Sequence, residues 1–365
     1  MITVHPGEIS TPIMEFISIK DPHFNFGFAN RIRYSHESDM ISKVEFVRKW
    51  CKDHKIENII ITGDLTDTNE ERKWSFNQYV ENKNQLLKFK DDNIKLWSVA
   101  GNHDMFNGVA QTTKTVFGEL VREGVIGYLT RNSFEQAFVD QNGISKNIRI
   151  FGIDYSKHKE IVQERLKLLN ENLNHPNDLT LVVFHSHCTP SEIAVTDFTY
   201  ENLVKEYPNI DCFICGHYHG GFPTGVYFKN DGQNKDHVMI INNWSFQRVV
   251  RDYYNELNVH TPEFEHVKIG WSVAINNFII ARETIKIPCK SYDETFKPKA
   301  VELLKLTKKE QFQFFEEINF DDLEYSDDDL ETLKNISKRD EVNPEVVALA
   351  IKYLNNVKVE DIEEI

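Results

Sequence analysis

Long apolar runs are missing: nothing approaches the ~18 consecutive apolar residues of a membrane span, so no membrane association is expected. Cysteine is scarce and odd in number, five in 365 residues. That argues against a disulfide framework and for a reducing, cytoplasmic compartment. Basic residues are in the minority, 42 Lys and Arg against 57 Asp and Glu, for a net charge of −15. The balance has the wrong sign for a freestanding nucleic-acid binder, which needs its own cations to neutralise phosphates. It leaves room for an enzyme that handles phosphates through metal ions, or for a subunit whose partner carries the basic surface. The residues around His5, Pro6, Gly7 and Glu8 lack a basic patch followed by an apolar stretch, so no signal peptide is read there.

What is present is globular. Hydrophobic residues make up 40% and aromatics 12%, enough for a sizeable core and against disorder throughout. Short apolar runs at 13–19, 59–61, 94–100, 148–153, 179–184, 212–215 and 238–241 read as buried strands. Helical stripes fall between them: Ile41, Val44, Val47 and Cys51; a polar stretch near 70–90; Val116, Leu120 and Val121; and Ile161, Leu166, Leu169 and Leu173. Such alternation implies an α/β sheet layered with helices. Residues 267–287 read as paired strands, and from about 297 the chain is charged and helical. The expected division is an α/β domain at 1–245, a small β-rich capping unit at 246–298, and a charged helical region at 299–365. Cys212 and Cys215 form a C-x-x-C within an apolar strand, which reads as buried thiols.

Five polar signatures sit where strands end, the edge at which open α/β sheets bind ligands. They are Asp21-x-His23, Gly63-Asp64, Gly101-Asn102-His103-Asp104, His185 (with His187) and Gly216-His217-Tyr218-His219. On an extended backbone alternate residues face one way, so Asp21 with His23, and His217 with His219, can each reach one ion. Gly63 allows close backbone approach and leaves the Asp64 carboxylate free to bridge two cations. Carboxylate, amide oxygen and imidazole, without thiolate, suit Mn²⁺ first, with Fe or Zn²⁺ also accommodated. Two such ions would polarise a phosphoryl group and supply hydroxide at neutral pH. Singly these signatures are common in turns; five in this order after apolar strands are not.

The ordered set resembles the calcineurin-like metallophosphoesterase superfamily over residues 13–245. The resemblance implies a four-layer αββα sandwich with a dinuclear metal centre. It implies that Asp21, His23, Asp64 and His219 hold one ion, and Asp64, Asn102, His185 and His217 the other. His103 would contact the scissile phosphate and help protonate the leaving oxygen, with Asp104 orienting it. His185 directly follows its strand and is preferred as the ligand; His187 would face substrate or stand behind the ligands.

Gly63-Asp64-Leu65-Thr66-Asp67 lacks the acidic-Arg-Gly continuation of Ser/Thr protein phosphatases, and Asp104 stands where they carry glutamate. The chain therefore looks more like the phosphodiesterase and nuclease branches. Residues 281–288, ending Thr284-Ile285-Lys286-Ile287-Pro288, resemble the end of the capping domain of Mre11/SbcD-type nucleases. That likeness implies a DNA exo- or endonuclease subunit acting in repair, recombination or replication, with a Rad50/SbcC-type coiled-coil ATPase as partner and a homodimer as assembly. A histidine often found just after the Gly-Asp motif in those nucleases is absent; Asp67 lies in that region. Arg31 and Arg33, close after the first motif, are placed to grip a backbone phosphate, with His187 as a further substrate contact. The alternatives are a phosphodiesterase for cyclic nucleotides or other small nucleotides, and a non-catalytic scaffold.

Overall fold

Apolar residues on both faces of the strands decide the layering. In β1 (Met14–Ile19), Met14 and Phe16 face one way and Ile17 and Ile19 the other, and all four are buried. The same double burial holds for β7 (Leu179–His185) and β10 (Cys212–Gly216), whose every residue is buried. Strands covered on both faces belong between two apolar layers.

The structure is a computed structural model that describes residues 14–24, 36–66, 76–110, 113–139, 145–173, 178–193, 196–219, 221–222, 225–228, 237–246, 266–275 and 278–289. Two six-stranded sheets form the body of one unit. In the first, β1, β2 (Asn58–Ile61), β3 (Lys95–Ser98) and β4 (Gly127–Tyr128) run parallel. The second has the order β11 (Gly225–Phe228), β12 (His237–Ile241), β10, β7, β6 (Ser145–Ile153), β5 (Phe134–Val139), with parallel central pairs and antiparallel edges. A two-stranded ribbon joins β8 (Cys188–Thr189) to β9 (Phe198–Thr199).

Three apolar clusters define four layers. Phe16, Ile60 and Val99 from the first sheet meet Leu181, Val183, Ile214 and Ile241 from the second. The outer face of the first sheet, with Ile17, Ile59 and Ile61, packs under α1 (His36–His54), α2 (Phe76–Asp91) and α3 (Val116–Arg122). The outer face of the second, with Val182, Phe184 and Phe213, packs under α4 (Lys159–Asn172) and α5 (Tyr200–Glu206). This is the expected αββα sandwich. All five cysteines are free thiols. Cys212 joins the inter-sheet cluster and Cys215 the helix-side cluster, so the C-x-x-C thiols face opposite ways.

One expectation is corrected. The strands expected within a separate capping unit at 246–298 extend the first sheet instead. β13 (His266–Ile275) pairs antiparallel with β1, from Met14↔Ala274 to Ser18↔Gly270, and β14 (Phe278–Pro288) completes the edge. The physical reason is that β1 otherwise ends the sheet with a row of unpaired backbone groups, which a neighbouring hairpin satisfies. A second unit, residues 29–36, 248–262 and 290–365, lies almost wholly outside the described residues. Arg31, Arg33, Asp67 and residues 299–365, where a helical region was expected, fall there or in other undescribed segments. Among the described residues, no helix is long and apolar enough to cross a membrane.

Candidate metal centre

The parallel strands of both sheets deliver polar residues from their carboxyl ends. Asp21 and His23 follow β1, Asp64 follows β2, and Asn102, His103 and Asp104 form a single 3₁₀ turn after β3. His185 ends β7, while His217 and His219 follow β10. Four of these residues, Asp21, His23, Asp64 and His217, have φ of 41°, 44°, 45° and 82°. Such left-handed conformations are costly for non-glycine residues and persist only where the surroundings enforce them.

Backbone hydrogen bonds supply that enforcement. His23 N donates to Asp64 O at 2.8 Å and Phe24 N to Leu65 O at 2.7 Å, so the loops after β1 and β2 are zipped together. Asp21 accepts from Thr62 Oγ1 (3.2 Å) and from His217 N (2.9 Å), linking the two sheets. Gly63 has φ of 100°, and a Cβ there would stand 2.6 Å from His185 Nδ1 and 2.8 Å from Gly101 N. Only glycine fits between these loops.

The donor atoms converge around Asp64. Its Oδ2 lies 3.6 Å from His23 Nε2 and 3.3 Å from His185 Nε2, and its Oδ1 accepts from His103 N at 2.9 Å. His185 Nε2 is 3.3 Å from Asn102 Oδ1, and His23 Nε2 is 3.2 Å from His219 Nε2. Atoms held about 2.1 Å from a shared ion stand roughly 3.0–3.4 Å apart, so these separations are those of a coordination shell. His23, Asp64 and His103 form one group with ligand atoms within 4.8 Å of one another; Asp64, His185 and His217 form a second. Asp64 belongs to both. His103 thus approaches closely enough to be a ligand as well as a substrate contact.

His185 is fixed by its other nitrogen: Nδ1 lies 2.8 Å from Thr62 O, which can only accept, so Nδ1 carries the proton and Nε2 faces Asp64. His187 is held differently. Asp197 Oδ2 accepts from its backbone N at 3.0 Å and lies 3.7 Å from its Nδ1, and its ring stands 4.0 Å from that of His217. The structure therefore seats His185 inside the cluster and His187 beside it, half-exposed.

Charge follows from this burial. Desolvation opposes ionisation of Asp64, but His185, His103 and His23 hold its carboxyl well below the usual range. Burial lowers His185, yet the Asp64 charge and hydrogen bond, with Asp21, lift it to about 9. Burial and the neighbouring His185 and His187 depress His217 to about 2. Burial, followed by the charge of Asp64, raises Asp104, against the backbone amides that bind it.

The buried Asp104 carboxylate binds the backbone of two loops. Its Oδ2 accepts from Leu65 N and Gly101 N at 3.0 Å each, and its Oδ1 from Thr66 N (2.9 Å) and Thr66 Oγ1 (3.1 Å). It clasps the loop after β2 to the turn after β3. Sequence reading missed Asp154, Tyr155 and Asp197. Asp154 accepts from Ala100 N and Thr130 Oγ1, 2.8 Å each, and from Tyr128 Oη, anchoring the chain before Gly101. The Tyr155 ring stands 5.1 Å from that of His217. The adjacent Asp154-Tyr155 pair at the end of the 148–153 run carried the only available signal, since it too ends a strand.

The chain belongs to the calcineurin-like phosphoesterase family, whose profile matches residues 21–221, more than half its length. The uncharacterized protein YvnB of Bacillus subtilis (strain 168) is 22% identical over 205 residues, 51% of this chain and 15% of that protein. This chain thus spans only a small part of that relative. A Staphylococcus aureus structure assigned as a 5′-nucleotidase, in complex with α-ketoglutarate, superposes with TM-score 0.41 and 11% identity, covering 83% of this chain and 58% of that one. A dimetal phosphatase of Danio rerio gives TM-score 0.39 and 12% identity over 77% of this chain and all of that one.

Proposed function

We propose that the chain is a metal-dependent phosphodiesterase whose centre holds two divalent ions. The observation that carries this reading is the Asp64 carboxylate shared by two groups of buried ligands. Imidazole, carboxylate and amide donors without thiolate fit Mn²⁺ best in this reading, with Fe or Zn²⁺ as alternatives. Asp21, His23, Asp64 and His219 would hold one ion; Asp64, Asn102, His185 and His217 the other. When bound, such ions supply Lewis acidity at the phosphoryl oxygens and a nucleophile at neutral pH. The chain's own contribution is positional. Gly63 and Gly101 admit the close approach of the loops, and the backbone N of His103 locks its turn onto Asp64. In this reading the His103 imidazole, 4.9 Å from the His23 ring, would donate a proton to the departing oxygen.

The substrate we favour is a DNA phosphodiester, with a role in repair, recombination or replication in the manner of Mre11/SbcD-type nucleases. The Gly-Asp-Leu-Thr-Asp and Gly-Asn-His-Asp signatures support it, with Arg31, Arg33 and His187 as substrate contacts. A Rad50/SbcC-type ATPase, a homodimeric assembly and a cytoplasmic location belong to the same proposal. A second reading, a cyclic nucleotide or other small phosphodiester, is favoured by the hairpin of β13 and β14. The segment likened to a nuclease cap is a sheet edge here.

The test is hydrolysis by purified protein with Mn²⁺, against EDTA controls, on linear duplex DNA, single-stranded DNA, cyclic nucleotides and bis(p-nitrophenyl) phosphate. EDTA-sensitive cleavage of DNA is expected. Turnover of cyclic nucleotides alone would replace the nuclease reading, and no turnover of any substrate would refute the activity. His103→Ala should lower the rate roughly 10²–10⁴-fold with metal content unchanged. A parallel loss of metal would make His103 a ligand.

A further inference from the structure

The segment after β12, residues 242–246, lies beyond the region matched by the family yet touches the metal centre from behind. Asn242 is 1% exposed, and its side chain has a donor and an acceptor in use. Its Oδ1 accepts from Lys20 Nζ at 2.6 Å, and its Nδ2 donates to Cys188 O at 2.5 Å. Its main-chain oxygen accepts from Phe222 N at 2.9 Å. Each contact falls beside a ligand loop. Lys20 precedes Asp21, Cys188 follows His185, and Phe222 follows His219. The amide orientation is dictated, because an ammonium can only donate and a carbonyl can only accept. Ser245 reinforces the clip, with its N donating to His219 O (3.1 Å) and its Oγ to Asp21 O (3.0 Å).

We infer that Asn242 is a positioning residue for the metal centre: its buried side-chain amide ties the loops carrying Asp21 and His185 together, and its main-chain oxygen holds the segment after His219 to the same frame. The inference rests on the two-ion reading. Groups behind metal ligands that fix their orientation change metal affinity by about 10–100-fold when lost. Asn242→Ala removes both side-chain hydrogen bonds while touching no ligand. Asn242→Asp keeps an acceptor facing Lys20, replaces the donor to Cys188 O by a second acceptor oxygen, and adds a charge that pairs with the Lys20 ammonium. Asn58 supplies a control at the opposite end of a strand, a buried asparagine whose Oδ1 accepts from Trp97 Nε1 at 3.1 Å.

The experiment titrates metal-free full-length protein with Mn²⁺ by calorimetry and follows thermal unfolding of the metal-free form. Wild type is expected to bind two ions. Asn242→Ala should still bind two, about 10–100-fold more weakly, and Asn242→Asp should fall between it and wild type. Asn58→Ala should lower the unfolding temperature without weakening metal binding. Wild-type affinity in the Asn242 variants, or an equal loss in Asn58→Ala, overturns the inference. If Asn242→Ala does not fold, the Asn242→Asp titration decides alone, and unchanged affinity there overturns it. Failure of wild type itself to bind two ions removes the underlying reading and is a separate result.

Discussion

At the scale of single residues, the site is a set of side chains held in costly backbone conformations by their neighbours. Which of His185 and His187 enters the buried cluster was legible in sequence, because His185 immediately ends an apolar run while His187 lies beyond it. The backbone contacts of Asp104 were not. A 3₁₀ turn separates successive side chains by about a third of a revolution. Asp104 therefore turns back onto Gly101 N and the loop of Leu65 and Thr66. His185 carries a consequence for pH. In the metal-free protein burial disfavours its charge, but Asp64 and Asp21 hold its proton up to about pH 9. A ligand must be neutral, so metal binding expels that proton below this pH. Apparent Mn²⁺ affinity should rise by up to about tenfold per pH unit between neutrality and pH 9, then level. Calorimetry in buffers of different ionisation enthalpy would read about one proton released at pH 7.5. Release of none would contradict the assignment.

At the scale of elements, most of the sandwich was legible because its strands are short apolar runs and its helices carry stripes. In α1 the buried apolar residues are Met40, Val44, Val47 and Cys51, close to the expected stripe. In α4 the register differs: Val162 and Leu166 are buried, whereas Ile161 is 40% exposed. A helix face is wide enough that a neighbouring apolar residue can take the inward position. The two-residue strands β4, β8 and β9 carry no periodicity to detect. The hairpin was recognised as strands, but not its place, because Met14 pairs with Ala274 and nothing local encodes so distant a partner. That place has a testable consequence. β1 delivers Asp21 and His23, and β13 covers its open edge. A chain ending at residue 262 should unfold at markedly lower temperature or aggregate, and should bind metal poorly. A detachable cap would come away without either effect, as circular dichroism melting and metal titration would show.

At the scale of the whole molecule, a chain of net charge −15 brings several carboxylates and imidazoles into one buried cluster. Like charges and lone pairs crowded without solvent repel one another unless cations are shared among them, which is the physical case for a dinuclear centre. Five sequence signatures made the cluster legible because each follows an apolar strand. The frame behind it, Asn242, Ser245 and Asp154, was hidden because their partners are contributed by remote segments. The most direct measurement is metal content: metal-free protein loaded with Mn²⁺, separated from free metal, and assayed by elemental analysis beside Asp64→Ala. Two ions per wild-type chain and loss of both in the variant are expected. Wild-type protein that retains one ion or none, or an Asp64→Ala chain that still holds two, would contradict the account.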